Sequence, residues 1–225
     1  MIKSILLILL LITTITFAQT SKDNFYYDNL NRLVGVKYAN GDSLSFQYDA
    51  NGNRISSQII GGNANQSISL STGWNTISSY INPSALNMEN VFADLEELII
   101  VKNADGQIYN PAQNINQIGN LNIAHGYMVY VTAPATLQIT GTEVNPTETE
   151  INLVTGWNLI SYLRNSSMPI GTALAGINNS IILVKNNAGQ IYFPAYYLNT
   201  IGNMLPGQGY WIYMNSNAVL TYPGN

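Results

Sequence analysis

The side chains most suited to ligand binding in this 225-residue chain are aromatic rings and amides. The sequence Gly-Trp-Asn at Trp74 and Asn75 recurs at Trp157 and Asn158. An aromatic ring can stack on the apolar face of a pyranose while amides bond its hydroxyls, so these residues could bind a sugar. The predicted ligand-binding set is Trp74, Asn75, Tyr109, Trp157, Asn158, Tyr192, Trp211 and Tyr213. The residues favour another interpretation more strongly, because a Trp after Gly at a strand corner is more often a core anchor.

Groups for acid–base catalysis are confined to part of the chain. Residues 151–225 contain no Asp, Glu, His or Cys, and Arg164 and Lys185 are their only charged side chains. That segment cannot run a paired-carboxylate glycosidase reaction or a Ser-His-Asp relay, and it lacks the anionic oxygen ligands usual for calcium. His125 is the only histidine, and we expect it at a surface or strand end. We predict no catalytic site, no metal and no cofactor, and therefore no enzyme.

A tandem duplication fills most of the chain. Gly73 and Gly156, Val101 and Val184, and Gly126 and Gly209 begin matching motifs, and the spacing between the two members is the same in all three pairs. When residues 70–142 are compared with residues 153–225, about 29 of the 73 positions are identical and the sequence requires no gap. A site that belongs to the repeated domain should therefore appear in both copies. The acidic residues fail this test, and we interpret them as a solvated helix face; they are Glu89, Asp94, Glu96 and Glu97.

Short apolar runs separated by turn residues predict that each copy is mainly β. Residues 68–72, 75–78, 98–102, 107–109, 127–131 and 136–139 are the predicted strands of the first copy. The apolar spacing from Met88 to Leu98 predicts one short helix, and residues 172–177 of the second copy predict one helical turn at most. The predicted fold is a small β-meander followed by two tandem sandwich-like or barrel-like β-domains.

The predicted boundaries assign residues 1–18 to a signal peptide, 19–62 to the meander, 67–142 to the first copy, 143–150 to a linker and 151–225 to the second copy. Lys3 precedes an apolar run, and small residues Thr16 and Ala18 stand at a cleavage position, which indicates a secretory signal peptide. The run is shorter than a membrane-spanning helix needs. We therefore expect a secreted, extracellular or cell-surface protein with no membrane span after cleavage. The stretch from Gly141 to Glu150 is expected to be an exposed linker.

Charge is sparse along the whole chain, and this limits the partners. Lys and Arg number 8 and Asp and Glu number 12, which gives a formal net charge of −4. Such a chain offers no basic stripe to neutralise phosphates, so nucleic acid is not expected as a partner. The absence of cysteine excludes disulfides and thiolate chemistry. Glycans or another extracellular protein remain as partners, and the oligomeric state stays open.

The segment from Phe25 to Ile60 contains two Tyr-Asp units, YDNLNRL at Tyr27 and YDANGNRI at Tyr48. These motifs resemble the RHS or YD-repeat family, which implies a bacterial extracellular β-module. The first motif departs from the family at Asn31, where a Gly is usual. Two units cannot close the shell that long arrays build, so the encapsulating role is not carried over. The side chains at Tyr27, Asp28, Arg32, Tyr48, Asp49 and Arg54 are expected to serve turns and ladders.

The tandem copies resemble accessory modules of secreted bacterial surface proteins, which supports the compartment and a modular role. We therefore expect a secreted, non-enzymatic structural, adhesion or interaction protein. A carbohydrate-binding module with exposed aromatics is the first alternative, and a fragment of an RHS-type toxin or enzyme is the second. Exposed, coplanar aromatic rings would favour the carbohydrate alternative, and buried rings would favour the structural one.

Overall fold

The computed structural model describes residues 23–38, 43–60 and 64–225. The predicted signal peptide lies outside the described residues, as do Asn40 and Gly41, whose residue types predict a hairpin turn. The chain divides into two compact units, an N-terminal unit (Met1–Gln58) and a C-terminal unit (Ile59–Asn225). Both copies of the duplication lie in the C-terminal unit.

Four strands form the N-terminal sheet, in the order β1-β2-β3-β4. The strands are β1 (Asn24–Tyr27), β2 (Leu33–Lys37), β3 (Ser43–Tyr48) and β4 (Arg54–Ile60). β1 pairs antiparallel with β2, and β2 pairs antiparallel with β3. The predicted small β-meander is thus present.

Each Tyr-Asp unit ends in the same tight turn. The Asp28 carboxylate accepts hydrogen bonds from the backbone N–H groups of Leu30 and Arg32, both at 2.9 Å. Asp49 accepts equivalent bonds from residues two and four positions later, at 2.9 and 2.8 Å. Asn31 has φ +57° and takes the left-handed position that Gly52 takes in the second turn, with φ +84°. Asn tolerates this conformation better than other non-glycine residues, which explains how the first motif keeps the turn.

Hydrogen bonds hold the two turn carboxylates in their charged form. The pKa of Asp28 is lowered, chiefly by the backbone N–H of Arg32, and the pKa of Asp49 is lowered, chiefly by the side chain of Asn53. The Arg32 guanidinium also forms an ion pair with Asp28 at 2.7 Å and lies 4.8 Å from the Tyr48 ring centroid. These contacts give Asp28, Arg32 and Asp49 the turn roles that the sequence predicts.

The first copy contains eight strands and one short α-helix. The strands are β5 (Ala64–Leu70), β6 (Gly73–Ile77), β7 (Ile81–Pro83), β8 (Leu98–Lys102), β9 (Ile108–Asn110), β10 (Ile115–Asn116), β11 (Tyr127–Val131) and β12 (Ala135–Glu143). The helix is α1 (Met88–Val91), and a 3-10 turn covers Pro111–Gln113. One sheet has the order β10-β9-β8-β11-β6, and the other has the order β5-β12-β7.

The second copy repeats this plan, with strands of the same length in its five-stranded sheet and shorter strands opposite that sheet. The strands are β13 (Ile151–Leu153), β14 (Gly156–Ile160), β15 (Met168–Pro169), β16 (Ile181–Lys185), β17 (Ile191–Phe193), β18 (Leu198–Asn199), β19 (Asn203–Met204), β20 (Tyr210–Met214) and β21 (Ala218–Leu220). The helix is α2 (Ile170–Ala173), and 3-10 turns cover Ala175–Ser180 and Pro194–Tyr196. The five-stranded sheet has the order β14-β20-β16-β17-β18, and β13 pairs with β21 while β15 pairs with β19.

Each copy encloses its own hydrophobic core. In the first copy, Val101, Val129 and Val131 on the five-stranded sheet face Leu137 and Ile139 on β12. In the second copy the cluster includes Tyr162, Tyr210 and Tyr222 in addition to aliphatic side chains. The predicted mainly β fold of several small modules is confirmed.

The buried tyrosines make the C-terminal unit sensitive to alkaline pH. Burial raises the pKa of Tyr210 to about 12 and raises the pKa of Tyr222 well above its ordinary value. The unfolded chain releases these protons near pH 10, whereas the folded chain retains them, so stability is full below pH 10 and is lost as pH rises from there. We expect the urea midpoint to be level from pH 8 to 9.5 and to fall steadily towards pH 12. A level midpoint at pH 11.5 would contradict this expectation.

The helix of the first copy is shorter than the apolar spacing suggests, whereas α2 of the second copy has the single turn expected. The predicted helix from Met88 to Leu98 is wrong in length, since α1 ends at Val91 and Leu98 begins β8. The apolar side chains still reach the core from turns, which a periodicity count does not distinguish from helix. The acidic residues are expected on a solvated face, and three of the four are exposed: Glu89, Asp94 and Glu96. The fourth, Glu97, is half-buried.

The expectation that the copies align without a gap is also wrong at the helices. The N–H of Met88 donates to Gly119, and the N–H of Ile170 donates to Gly202. Gly119 and Gly202 are separated by the same number of residues as the other matched pairs of the two copies. Met88 and Ile170 are separated by one residue fewer. The second copy therefore lacks one residue before the helix and regains it before Ile181.

The stretch between the copies is more ordered than the sequence indicates. Gly141 to Glu143 belong to β12 and pair with β7. Pro146 is buried and its carbonyl accepts a hydrogen bond from the N–H of Tyr222 at 3.1 Å. Val144 packs against the core of the second copy. This segment therefore packs on the C-terminal unit through Val144 and Pro146, while most of its residues are exposed.

The two copies are joined by hydrogen bonds that occur twice, as a two-fold arrangement requires. The N–H of Gly126 donates to Leu159 at 3.0 Å, and the N–H of Gly209 donates to Thr76 at 3.1 Å. The Ser161 hydroxyl donates to the carbonyl of His125 at 2.7 Å. The equivalent hydroxyl of Ser78 donates to the carbonyl of Gln208 at 2.6 Å. Because each bond has its counterpart at the equivalent position of the other copy, the copies face each other through the same surface.

One exposed turn of the second copy carries a strained tyrosine. Tyr197 has φ +55° and is 97% exposed, whereas the first copy has Asn114 at this position with φ +53°. A left-handed conformation is unfavourable for an L-residue with a bulky side chain and is better tolerated by Asn. We expect Tyr197→Asn to raise the free energy of unfolding by about 0.5–1 kcal/mol, by chemical denaturation. Asn114→Tyr should lower it by a similar amount, and opposite signs would contradict the argument.

Candidate functional site

The Gly-Trp-Asn motif makes the chain cross from one sheet to the other. β5 pairs with β12 in one sheet and β6 pairs with β11 in the other, so the chain turns between Leu70 and Gly73. Gly73 has φ +95°, a conformation that glycine adopts without strain. The Asn75 side chain accepts a hydrogen bond from the N–H of Ser71 at 2.9 Å and donates to the carbonyls of Ser71 and Gly73 at 2.7 and 3.0 Å. Asn75 thus holds the crossing, and Trp74 is fixed in place between Gly73 and Asn75.

The second copy builds the same crossing with the same three bonds. Gly156 has φ +97°. Asn158 accepts from the N–H of Val154 at 3.0 Å and donates to the carbonyls of Val154 and Gly156 at 2.7 and 3.1 Å. Trp157 is therefore positioned as Trp74 is.

Adjacent residues of a strand point to opposite faces, so the tryptophans lie on the outer face while the asparagines face inward. In the first copy Trp74 is paired with Tyr130 on β11, and their ring centroids are 5.3 Å apart at 73°. The Nζ of Lys102 on β8 lies 5.4 Å from the centroid of the Trp74 ring. We call Trp74, Tyr130 and Lys102 the first aromatic face.

In the second copy Trp157 is paired with Tyr213 on β20, with ring centroids 5.0 Å apart at 46°. Trp211 lies on the same side, 6.2 Å from Trp157 and at 87° to it. The Nζ of Lys185 lies 4.7 Å from the Trp157 centroid. These four residues are the second aromatic face.

The indole rings lie outside the two cores. Trp74 is 43% exposed and Trp157 is 44% exposed, so the core-anchor interpretation is wrong. Tyr213 is also exposed, as strand alternation predicts, while Tyr210 and Ile212 on the same strand are buried. The neighbouring rings are inclined by 46–87°, so they do not form a coplanar platform. Each face suits the stacking of one sugar ring on one indole better than the adsorption of a flat polymer sheet.

Four members of the predicted set lie on the other side of the sheets. Asn75 and Asn158 hold the crossings described above. Tyr109 is buried with its ring centroid 6.2 Å from that of Phe92, and burial raises its pKa. The Tyr192 hydroxyl donates to the side-chain oxygen of Asn178 at 2.7 Å, and burial raises its pKa as well. These four residues support the aromatic faces from within and are not part of them.

Three residues of the faces are absent from the predicted set. They are Tyr130, Lys102 and Lys185. Each has a residue of the same type at the matching position of the other copy, and this repetition is the sequence feature that could have identified them. Strand register places the two lysines on the faces. In the first copy Met128 pairs with Thr76 on one side and with Lys102 on the other. In the second copy Trp211 pairs with Leu159 on one side and with Lys185 on the other. A single sequence shows alternation within a strand but not which strands become neighbours.

The faces border two hollows between the copies. One hollow of about 490 Å³ is lined by Thr76, Asn187 and Gln208 among others, and Asn187 donates to the carbonyl of Trp74 at 3.0 Å. The equivalent hollow of about 220 Å³ is lined by Trp157, Asp105 and His125 among others. Both hollows follow from the two-fold arrangement, and they differ because Asn187 and Ala188 of one loop correspond to Ala104 and Asp105 of the other.

His125 is exposed two residues before β11 begins, as expected for a residue near a strand end. It shares its hollow with Asp105, but the lining of that hollow contains no Ser, Thr, Lys or Tyr. Over residues 23–38, 43–60 and 64–225, no group of three or more His, Asp or Glu side chains is placed to hold a metal ion. Within the same residues, no helix has the length and apolarity to span a membrane.

Comparison with known proteins identifies one part of the chain. No curated protein and no solved structure matches it significantly. The likeness of the tandem copies to accessory modules stays a prediction. Residues 11–64 match the family model of the RHS repeat, and RHS repeats typically occur in extracellular or cell-surface proteins. The N-terminal segment, with its two Asp-locked turns, is therefore an RHS repeat.

Proposed function

We propose that this protein is a secreted, non-enzymatic adhesion protein that binds carbohydrate through its two aromatic faces. The observation that carries the proposal is the repetition of an exposed Trp beside a Tyr and a Lys in both copies. An indole left partly exposed forgoes part of the stabilisation that full burial would provide, so its occurrence at the same position of both copies favours a role in binding.

The chemistry of the faces supports a sugar more than another partner. An indole offers a flat apolar surface that matches the C–H face of a pyranose, and the loop that borders the first aromatic face contributes the amide of Asn187 for the sugar hydroxyls. The N-terminal RHS repeat supports an extracellular setting, where glycans are abundant. A signal peptide at residues 1–18 would deliver the protein there.

A non-enzymatic role is supported by the poverty of catalytic groups. General acid–base chemistry needs a positioned carboxylate or histidine. Near Trp157 the candidates are Asp105 and His125, and near Trp74 the corresponding positions are Ala188 and Gln208. A reaction that belonged to both faces could not use residues that only one of them has.

The two-fold arrangement supports bivalent binding. Linked sites raise the apparent affinity for a surface with many identical sugars by roughly 10²–10⁴-fold, even where each site alone is weak. Adhesion to a glycan layer requires this behaviour and does not require a deep pocket.

The test is a glycan array and a cell-wall pulldown with the purified protein, beside a Trp74→Ala/Trp157→Ala variant. We expect selective glycan binding by the wild type and none by the variant. Near-UV circular dichroism of the variant checks that it is folded, which the exposure of both rings favours. Absence of any glycan binding by the wild type, or full binding by the folded variant, would contradict the proposal.

A further inference from the structure

We infer that the two aromatic faces select acidic sugars, in which a pyranose ring carries a carboxylate. This inference rests on the proposed function and specifies its ligand class. The sugar ring would stack on Trp74 or Trp157, and its carboxylate would pair with Lys102 or Lys185.

The scarcity of cations makes these two lysines distinctive. Residues 59–225 contain three cationic side chains, Lys102, Arg164 and Lys185, against eight carboxylates. Arg164 is 5% exposed and donates to the carbonyls of Pro223 and Gly224 and to the hydroxyl of Ser166, so it serves the fold. The two remaining cations both lie against an exposed indole.

Neither lysine has a protein carboxylate to neutralise it. In the part of the chain that the structure describes, the one salt bridge joins Arg32 and Asp28 in the N-terminal unit. Each lysine instead holds its ammonium 4.7–5.4 Å from an indole centroid, a weak interaction at an exposed site. The C-terminal unit contains eight carboxylates, and neither ammonium group forms a salt bridge with any of them.

The position of the ammonium decides which sugars bind well. A neutral pyranose that stacks on the indole must displace the ammonium from the ring and offers no charge in return. An acidic pyranose displaces it too, but its carboxylate then accepts a charge-assisted hydrogen bond from the same Nζ. Repulsion by the distant carboxylates of the protein is screened at physiological salt, where the Debye length is about 8 Å.

The two faces should not bind equally. Asp105 lines the hollow beside Trp157, whereas the corresponding residue of the hollow near Trp74 is Ala188. A carboxylate near the second aromatic face opposes an anionic ligand. The first aromatic face is therefore expected to be the tighter of the two, and Asp105→Asn is expected to strengthen the second.

The test uses oligogalacturonate, oligoglucuronate and oligomannuronate, each paired with its carboxyl-reduced neutral form, in calorimetric titrations. For at least one pair we expect the acidic form to bind about fivefold more tightly per site, which is the upper end for an exposed ion pair. Lys102→Gln/Lys185→Gln should remove this preference and leave binding of the neutral form unchanged or stronger. Lys37→Gln, which removes a positive charge from the N-terminal unit, should leave the preference intact.

Equal binding of the acidic and neutral forms by the wild type would overturn the inference, as would a preference that survives the double lysine substitution. Binding of neutral glycans on the array together with no binding of any uronate would overturn the inference and leave the proposed function standing. Absence of binding to every glycan would overturn both.

Discussion

Replacing Asn75 with alanine is expected to lower the free energy of unfolding of the C-terminal unit by about 3 kcal/mol, roughly 1 kcal/mol for each of three hydrogen bonds. The substitution leaves the N–H and carbonyl of Ser71 and the carbonyl of Gly73 without the partner that holds the crossing between sheets. Asn75 is 8% exposed, so water does not readily replace that partner. Denaturation followed by tryptophan fluorescence measures the change, since all three tryptophans lie in the C-terminal unit.

Two further variants give the matched comparison. Asn158→Ala removes the same three bonds in the second copy, but Asn158 is only half-buried, so we expect a smaller loss of about 2 kcal/mol. Asn152→Ala at an exposed strand position should change stability by less than about 0.5 kcal/mol. A loss for Asn75→Ala no larger than that for Asn152→Ala would show that the side chain does not hold the crossing.

The second large effect concerns the tryptophans. On a glycan-coated surface, Trp74→Ala or Trp157→Ala alone should weaken apparent binding by about 100-fold or more, because one linked site is lost. The double variant should not bind. With a short soluble sugar, each single variant should halve the stoichiometry and leave the affinity of the remaining face within a small factor. Surface plasmon resonance and calorimetry provide the two measurements.

The control for this comparison is Tyr196→Ala. Tyr196 is an aromatic residue that is 71% exposed and belongs to neither face. Loss of binding in this variant equal to that in the tryptophan variants would mean that any exposed ring contributes, and the assignment to the faces would then fail. Unchanged binding after either tryptophan substitution would also contradict it.

The strands and turns were largely predictable from the sequence because local chemistry determines them. The Asp105-Gly106 turn, for example, is closed by Asn103, whose side chain accepts from the N–H groups of Asp105 and Gln107. The same pattern of Asn, Gly and Gln in the second copy closes its turn in the same way. Such contacts join positions that are close neighbours in the chain, so a single sequence carries the information they need.

The exposure of the tryptophans could not be predicted in this way. Alternation places Trp74 and Asn75 on opposite faces, but it does not say which face meets the core. That depends on the pairing of β5 with β12, which stand at opposite ends of the first copy, and on the contact between the copies, in which the first copy covers Leu159 but leaves Trp157 open. The grouping of Trp74 with Asn75 as one binding surface failed for this reason, and Lys102 was missed because it reaches Trp74 across an intervening strand.

The most direct test of binding through the two faces is an NMR titration of the indole N–H signals. The chain has three tryptophans, so three signals are expected, and Trp→Phe variants assign them. With a glycan identified on the array, the account predicts that the signals of Trp74 and Trp157 shift in a saturable manner while amides of the core, such as that of Tyr222, stay in place. Saturable shifts of backbone amides elsewhere, with the Trp74 and Trp157 indole signals unmoved, would contradict it.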